Sequence, residues 1–98
     1  SPEQLSRLAR RASLGAARTG APATTESGDF TVAFSIGWRI PRGVERIPVE
    51  LIADRSPTMG GLYRAAAEAT EEAIYSALLA ATPLAGRDGQ VVPTVVRP

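Results

Sequence analysis

Apolar and polar side chains alternate strictly in the middle of the chain. Large apolar residues occupy every even position from 30 to 40, and small or polar residues occupy the odd positions. The even set is Phe30, Val32, Phe34, Ile36, Trp38 and Ile40. Only a strand puts alternate residues on one face, and β-branched and aromatic side chains suit a pleated surface. The pattern therefore predicts a long strand over residues 30–40.

A helical pattern precedes this strand over residues 1–18. Ser1, Pro2 and Gln4 form a start signal similar to a capping box, and apolar residues then recur at helical spacing. The resulting narrow stripe comprises Leu5, Leu8, Ala9, Ala12 and Ala16. The arginines lie mostly off this stripe, and a solvated helix face is favoured over an anion site for Arg7, Arg10, Arg11 and Arg18.

A second helical pattern follows over residues 62–81, with an alanine-rich face that would let a neighbour approach closely. This face comprises Leu62, Ala66, Ala69, Ala73, Ala77 and Ala81. Residues 56–61 are interpreted as a loop, and alternation over 47–53 allows a short edge strand. Residues 85–90 are interpreted as a tight polar turn. The apolar tail 91–96 is broken by a proline, so it forms an edge strand at most.

Counting strands indicates an incomplete α/β fold. One long strand cannot form a sheet alone, since a stable sheet usually needs three or more. We therefore expect residues 1–98 to be a single partial domain that other chain segments complete.

Composition narrows the chemistry that the chain can perform alone. It has no cysteine and no histidine, and its 11 basic residues are all arginine. A Ser-His-Asp triad is thus excluded, and any hydrolytic base must be a carboxylate, a partner's residue or a terminal α-amine, which titrates near ~7.7–8.0. Because 10 acidic residues nearly balance the 11 cations, nothing in the charge favours nucleic acid or an anionic membrane. Neither a signal-peptide pattern nor a membrane-length apolar run occurs, so we expect a cytoplasmic protein.

The candidate site lies where the chain enters the predicted strand. Ser27, Gly28 and Asp29 follow the hydroxyl- and carboxylate-bearing residues 24–26. From composition alone, these three residues indicate no more than a turn before a strand.

Several ordered segments resemble the β-subunit of the DmpA-type aminopeptidases, a family that includes the β-peptidyl aminopeptidases. Residues 1–20 resemble its first helix, and residues 27–30 and 33–35 resemble its S-G-[DE] motif and the following strand. Residues 68–74 and 86–89 resemble its last helix and C-terminal loop. The resemblance covers nearly all of the chain except about residues 43–61.

This resemblance implies a four-layer α/β/β/α sandwich similar to the N-terminal-nucleophile hydrolases. It implies a precursor that cuts itself into α and β subunits, whose new β-terminal serine is the nucleophile and, through its amine, the base. Substrates would be short peptides, amides or esters with a free amino end. The resemblance further implies no metal or other cofactor, and a homo-oligomer of αβ units.

Carried over by position, Ser27 matches the serine that hydrogen-bonds the nucleophile or its amine, and Asp29 matches the acidic residue that orients this network. The resemblance implies that the nucleophile lies on a strand upstream of the first helix, which is not in this sequence. Ser1 itself fits an N-cap followed by proline better than a nucleophile. Residues 24–26 depart from the small, glycine-containing stretch of many family members, so the resemblance does not define the details of the substrate pocket. This chain alone should therefore be catalytically incomplete.

Two other functions stay open at this point. One is an acyltransferase of similar fold, such as the ornithine acetyltransferase class, with a threonine nucleophile. The other is a small non-catalytic α/β binding module in which residues 27–29 are merely a turn.

Overall fold

The computed structural model describes residues 1–95 and contains two long helices and one short hairpin. Helix α1 spans Pro2–Arg18 and helix α2 spans Pro57–Ala80. Strands β1 (Leu84–Ala85) and β2 (Val91–Val92) pair antiparallel around a 3₁₀ turn at Arg87–Gly89. The described residues thus have an α/β-like character, with helices dominating.

Helix α1 begins and ends as its sequence predicts. The Ser1 hydroxyl accepts a hydrogen bond from the Gln4 N–H at 3.3 Å, and the Gln4 Oε1 accepts one from the backbone nitrogen of Ser1 at 2.9 Å. These reciprocal bonds complete the capping box. At the other end the chain turns out through Gly20, whose φ of 94° is readily adopted only by glycine.

Helix α2 begins earlier than predicted, so the interpretation of residues 56–61 as a loop is wrong. The Ser56 hydroxyl accepts the Met59 N–H at 3.1 Å, and Pro57 occupies the first turn. The serine–proline start signal outweighs Gly60 and Gly61, which disfavour a helix interior.

The two helices pack side by side and run in the same direction. Arg11 lies over the Tyr63 ring, Gly15 abuts Ala67, and Arg18 pairs with Glu71, so contacts advance together along both helices. Gly15 is buried, and a β-carbon there would collide with the Ala67 carbonyl oxygen and lie 2.8 Å from the Thr70 Cβ. The glycine therefore permits the close approach of the helices.

The side of α2 that meets α1 is offset from the predicted alanine-rich face. Met59 and Ala67 are the buried apolar residues of the described part of the chain. Of the predicted face, Ala66 is half-buried, while Leu62, Ala69 and Ala73 are exposed. That face instead borders an open groove beside the helix–helix contact, whose lining residues include Leu8, Ala9, Ala12, Leu62, Ala66 and Ala69.

The long strand predicted over residues 30–40 is not formed within the described part of the chain. Strand structure there is confined to the hairpin of β1 and β2. A strand exists only where a neighbour accepts and donates its backbone hydrogen bonds, and residues 30–40 have no such neighbour among residues 1–95. The short edge strand allowed over 47–53 is absent from the same region for the same reason.

At the C-terminal end the predicted turn is confirmed, and the edge strand is confirmed over Val91–Val92. The Gly86 N–H donates to the Gln90 carbonyl at 2.7 Å, and Gly89 has a φ of 75°. The partner strand Leu84–Ala85 was not predicted, and the predicted tail extends past residue 95, outside the described residues.

Opposite effects of two glycine substitutions would test the helix–helix contact. We expect Gly15→Ala to destabilise the full polypeptide by about 1–3 kcal/mol, because the added methyl overpacks the interface. Gly61→Ala is the matched control: its β-carbon would meet nothing within 4 Å, so the higher helix propensity of alanine should stabilise by about 0.5–1 kcal/mol. Chemical denaturation measures both changes, and a stabilising Gly15→Ala would contradict the observed packing.

Candidate functional site

Ser27 and Asp29 lie on the surface of the long connection between the helices. The Ser27 N–H donates to the Thr24 carbonyl at 3.1 Å, which closes a turn just before the motif. Ser27, Gly28 and Asp29 are all exposed. The turn therefore presents a hydroxyl and a carboxylate two residues apart, with both side chains accessible to another segment.

The clefts found between α1, α2 and the connection are lined by other residues. One cleft of ≈ 250 Å³ lies between the start of α1 and two parts of the connection, bordered by Leu5, Ser35, Trp38, Leu51 and Met59 among others. Its lining is mostly apolar and does not include Ser27 or Asp29. Within residues 1–95 the structure thus does not gather the two predicted site residues into an enclosed site.

A polar network that the sequence did not reveal holds the connection against the start of α1. The buried Gln4 side chain donates through Nε2 to the Ile52 carbonyl at 2.6 Å and to Asp54 Oδ1 at 2.8 Å. Arg7 Nη1 lies 3.2 Å from the other Asp54 oxygen. These bonds place residues 52–54 beside the helix N-terminus.

The network shifts the pKa values of Asp54 and Arg7. The hydrogen bond from Gln4 and then that from Arg7 lower the pKa of Asp54 below its usual value, because both donors favour the charged form. The same Asp54 hydrogen bond, with Tyr63 adding a smaller effect, raises the pKa of Arg7. The capping role of Gln4 was readable locally, but its bonds across 48 and 50 residues had no signal in the sequence.

Three of the four arginines of α1 contact other side chains of the molecule, which a fully solvated helix face would not do. The Arg11 guanidinium carbon lies 4.7 Å from the Tyr63 ring centroid, and Arg18 Nη1 lies 3.5 Å from Glu71 Oε2. The Tyr75 hydroxyl also donates to the Arg18 carbonyl at 3.4 Å. Arg7 pairs with Asp54. Of the four arginines, only Arg10 is exposed with no hydrogen bond, ion pair or ring contact of its side chain among the described residues. This arrangement does not support an anion site on α1.

The described residues do not meet the requirements of a metal site or of a membrane-spanning helix. Among residues 1–95 no three histidine, cysteine, aspartate or glutamate side chains are grouped where they could share a metal ion. Neither α1 nor α2 combines the length and apolar character needed to cross a membrane.

Comparison with known proteins shows the class to which the chain belongs. Residues 1–92 match the model of Peptidase family S58, the DmpA family, and the chain belongs to this family. The match confirms the resemblance found in the sequence and extends it across residues 43–61, where no resemblance was apparent.

Two curated relatives are beta-peptidyl aminopeptidases named BapA. The protein of Sphingosinicella xenopeptidilytica is 41% identical over 92 residues, and that of Sphingosinicella microcystinivorans is 40% identical over 93 residues. Each alignment covers 93% of this chain but only 23% of the relative. No solved structure gave a significant match.

Acidification should test the network around Asp54. Because the folded-state pKa of Asp54 is lowered, its contribution to stability is present above the unfolded-state pKa of about 3.9 and is lost as the pH falls through the lower folded value. We expect Asp54→Asn to lower the melting temperature at neutral pH, with a difference from the parent that shrinks on acidification.

Asp88→Asn, at an exposed turn, is the control and should show no such pH-dependent difference. Melting temperatures measured from pH 7 downwards would show whether the charge of Asp54 stabilises the fold. A gap between Asp54→Asn and the parent that stays constant over the whole range would contradict a charged role for Asp54.

Proposed function

We propose that this chain is part of a self-processing serine aminopeptidase or amidase, which removes N-terminal residues from short peptides, amides or esters. The observation that carries the proposal is the family match over residues 1–92, which includes the Ser27–Asp29 turn. The aminopeptidase names of both relatives support hydrolysis over transfer to an acceptor amine. The composition agrees, since chemistry based on a terminal amine needs no histidine.

In the proposed mechanism the reactive serine comes from a segment outside these 98 residues. Its hydroxyl attacks the substrate carbonyl carbon while its own α-amine takes the hydroxyl proton. The tetrahedral intermediate collapses, the leaving amine departs with that proton, and a serine ester remains. Water then attacks the ester, again losing its proton to the α-amine, and the serine is regenerated as the acid product leaves.

The residues of this chain would position that reaction. The Ser27 hydroxyl would hydrogen-bond the nucleophile or its amine, and the Asp29 carboxylate would orient the pair and stabilise the protonated amine. Their exposure in residues 1–95 supports this role, because side chains that serve a group from another segment must be accessible to it.

The complete enzyme is proposed to be a four-layer α/β/β/α sandwich in which residues 30–40 form a strand. Its α-subunit and the remainder of the β-subunit would supply the missing strands and the nucleophile, and αβ units would associate into a homo-oligomer in the cytoplasm. The 23% share of each relative that the chain spans supports this arrangement, because most of the relatives' length is left to supply these parts.

Removal of the Ser27 hydroxyl tests its proposed role. In the full-length enzyme, Ser27→Ala should lower kcat on the order of 10²-fold, the loss typical of one hydrogen bond that acts at the reacting centre. The melting temperature should hardly change because the side chain is exposed. Ser13→Ala, at an exposed position of α1, is the control and should keep full activity. Steady-state hydrolysis of an aminoacyl anilide measures the effect, and unchanged turnover in Ser27→Ala would refute the assignment.

Removal of the Asp29 charge should alter the pH profile. A nearby carboxylate favours the protonated amine, so Asp29→Asn should lower the amine pKa and move the acidic limb of kcat/KM to lower pH. Asp88→Asn changes the charge equally, but in the turn after β1, and should leave the profile in place. Superimposable profiles for Asp29→Asn and the parent enzyme would argue against contact between Asp29 and the base.

A further inference from the structure

The helix pair has an open surface on the side away from the connection. On the connection side, a groove beside residues 31–33 is lined by Ala9 and Ala12 of α1 and by Ala66 and Ala69 of α2. Helical spacing turns other residues to the opposite side, which we call the outer surface. It is defined by Arg10, Leu14, Arg18, Arg64, Glu68 and Glu71, and all of these except Glu71 are exposed.

The unpaired charges change sign along the outer surface. Arg10 and Arg64 lie nearer the starts of the two parallel helices, and Glu68 lies nearer their ends. None of these three side chains forms an ion pair with another of residues 1–95. Arg18 also lies nearer the end, but its charge is already paired with Glu71. The outer surface therefore has a basic half and an acidic half.

Leu14 lies at the boundary between the two halves. Because Gly15 packs against Ala67, Leu14 is level with the midpoint between Arg64 and Glu68 on the neighbouring helix. Its side chain is 51% exposed. An apolar centre between charged groups is the arrangement found in many protein–protein interfaces.

Arg64 and Glu68 define the partner that fits this surface. They are one helical turn apart, a spacing that permits an ion pair within α2, yet the structure leaves both charges unpaired. A uniformly acidic or basic partner would satisfy one of them and repel the other. The matching partner carries the opposite charges in the reverse order, about 6 Å apart along the helix axis. A second α2 that runs antiparallel to the first presents this arrangement.

We infer that the outer surface is the interface between two copies of this polypeptide, related by a two-fold axis at the level of Leu14. The axis reverses the helix direction, so Arg64 of each copy faces Glu68 of the other, and Leu14 meets Leu14. Arg10 faces the neutral Arg18–Glu71 pair of the second copy. The inference goes beyond the proposed function, because it assigns a surface and a symmetry to association and does not depend on catalysis.

The size of the overlap predicts a dimer that dissociates readily. The two α2 helices would overlap over about 28 Å, on a helix pair about 20 Å wide. The total area buried is then on the order of 1,000 Å², the lower limit for a specific interface. Glu3, an acidic residue in the first turn of α1, lies too far from Leu14 for α1 of the second copy, which ends at Arg18, to reach it. Single charge changes at Arg64 or Glu68 should therefore weaken the dimer measurably.

Charge reversal in the full-length polypeptide tests the inference. Arg64→Glu places two acidic residues at each contact and Glu68→Arg places two basic ones, so each variant alone should raise the Kd for association more than about tenfold. A 1:1 mixture of the two variants pairs an acidic surface with a basic one and should restore association. An ion pair within a single α2 cannot be restored by mixing, so recovery identifies a contact between copies.

Native mass, measured by sedimentation at concentrations where the parent is assembled, is the readout. Each single variant should have at most half the parent mass, and the mixture should regain it. Arg87→Glu, at an exposed turn away from the outer surface, is the control and should keep the parent mass. A monomeric parent, single variants with the parent mass, or a mixture that stays dissociated would overturn the inference.

A disulfide at position 14 covers the case in which the charge variants do not fold. The 98 residues contain no cysteine, and Leu14→Cys brings two thiols together at the axis, within the Cα separation of about 7 Å that a disulfide allows. Mild oxidation of the full-length protein should give a peptide that joins position 14 of one copy to position 14 of another, identified by mass spectrometry. Ser13→Cys, exposed on another side of α1, is the control. No 14–14 link, or equal yields of self-linked peptide from both variants, would contradict the proposed symmetry.

The outcomes separate association from catalysis. Ser27→Ala should keep the parent mass, since that side chain is not on the outer surface. If Ser27→Ala leaves turnover intact while the mixed charge variants reassociate, the catalytic assignment fails and the interface stands. If Ser27→Ala lowers turnover and the mixture stays dissociated, the interface fails and the catalytic assignment stands.

Discussion

The close contact of Gly15 with Ala67 is the constraint on which the described structure depends. Met59 and Ala67 are its buried apolar residues, so little large-side-chain burial holds α1 against α2. The absence of a side chain at Gly15 lets the two helix backbones approach closely enough for direct contact with Ala67 and Thr70. Arg11 on Tyr63 and Arg18 on Glu71 then flank this contact along both helices. An exposed ion pair such as Arg18–Glu71 and a cation–π contact such as Arg11–Tyr63 each contribute only modestly to stability, so these side chains mainly set the alignment of the helices.

A parallel helix pair dictates the course of the rest of the chain. The connection must return from the end of α1 to the start of α2, which lies beside the start of α1. The bonds from Gln4 to Ile52 and Asp54 secure the end of that return. The connection passes the helices on its way, and it carries both the Ser27–Asp29 turn and the exposed apolar residues Phe30, Val32, Phe34 and Ile36. The features proposed to meet the rest of the enzyme are therefore all in one segment.

The sequence predicted those features that depend on neighbouring residues, such as the start of a helix. The capping box at Ser1 and Gln4 correctly placed α1, whereas Gly60 and Gly61 hid the equally good start at Ser56. The alternation over 30–40 predicts a strand with one apolar face, but a strand also needs backbone partners, which residues 1–95 do not provide, and its apolar side chains are exposed there. The Gln4–Asp54 bond joins residues too far apart for any periodicity to reveal. Ser27 and Asp29 were predicted as site residues only through the family resemblance, because an exposed turn with these residues has no distinguishing physical pattern.

The shared direction of α1 and α2 also has an electrostatic consequence. Each helix carries a partial positive charge at its N-terminus, and side-by-side parallel helices bring these charges to the same end. Asp54 lies at that end, held by Gln4 and Arg7 in its ionised form. Its carboxylate offsets a repulsion between aligned dipoles that an antiparallel pair would not have. Glu3 in the first turn of α1 adds a second carboxylate, so this end of the helix pair carries the negative charge that two aligned helix starts favour.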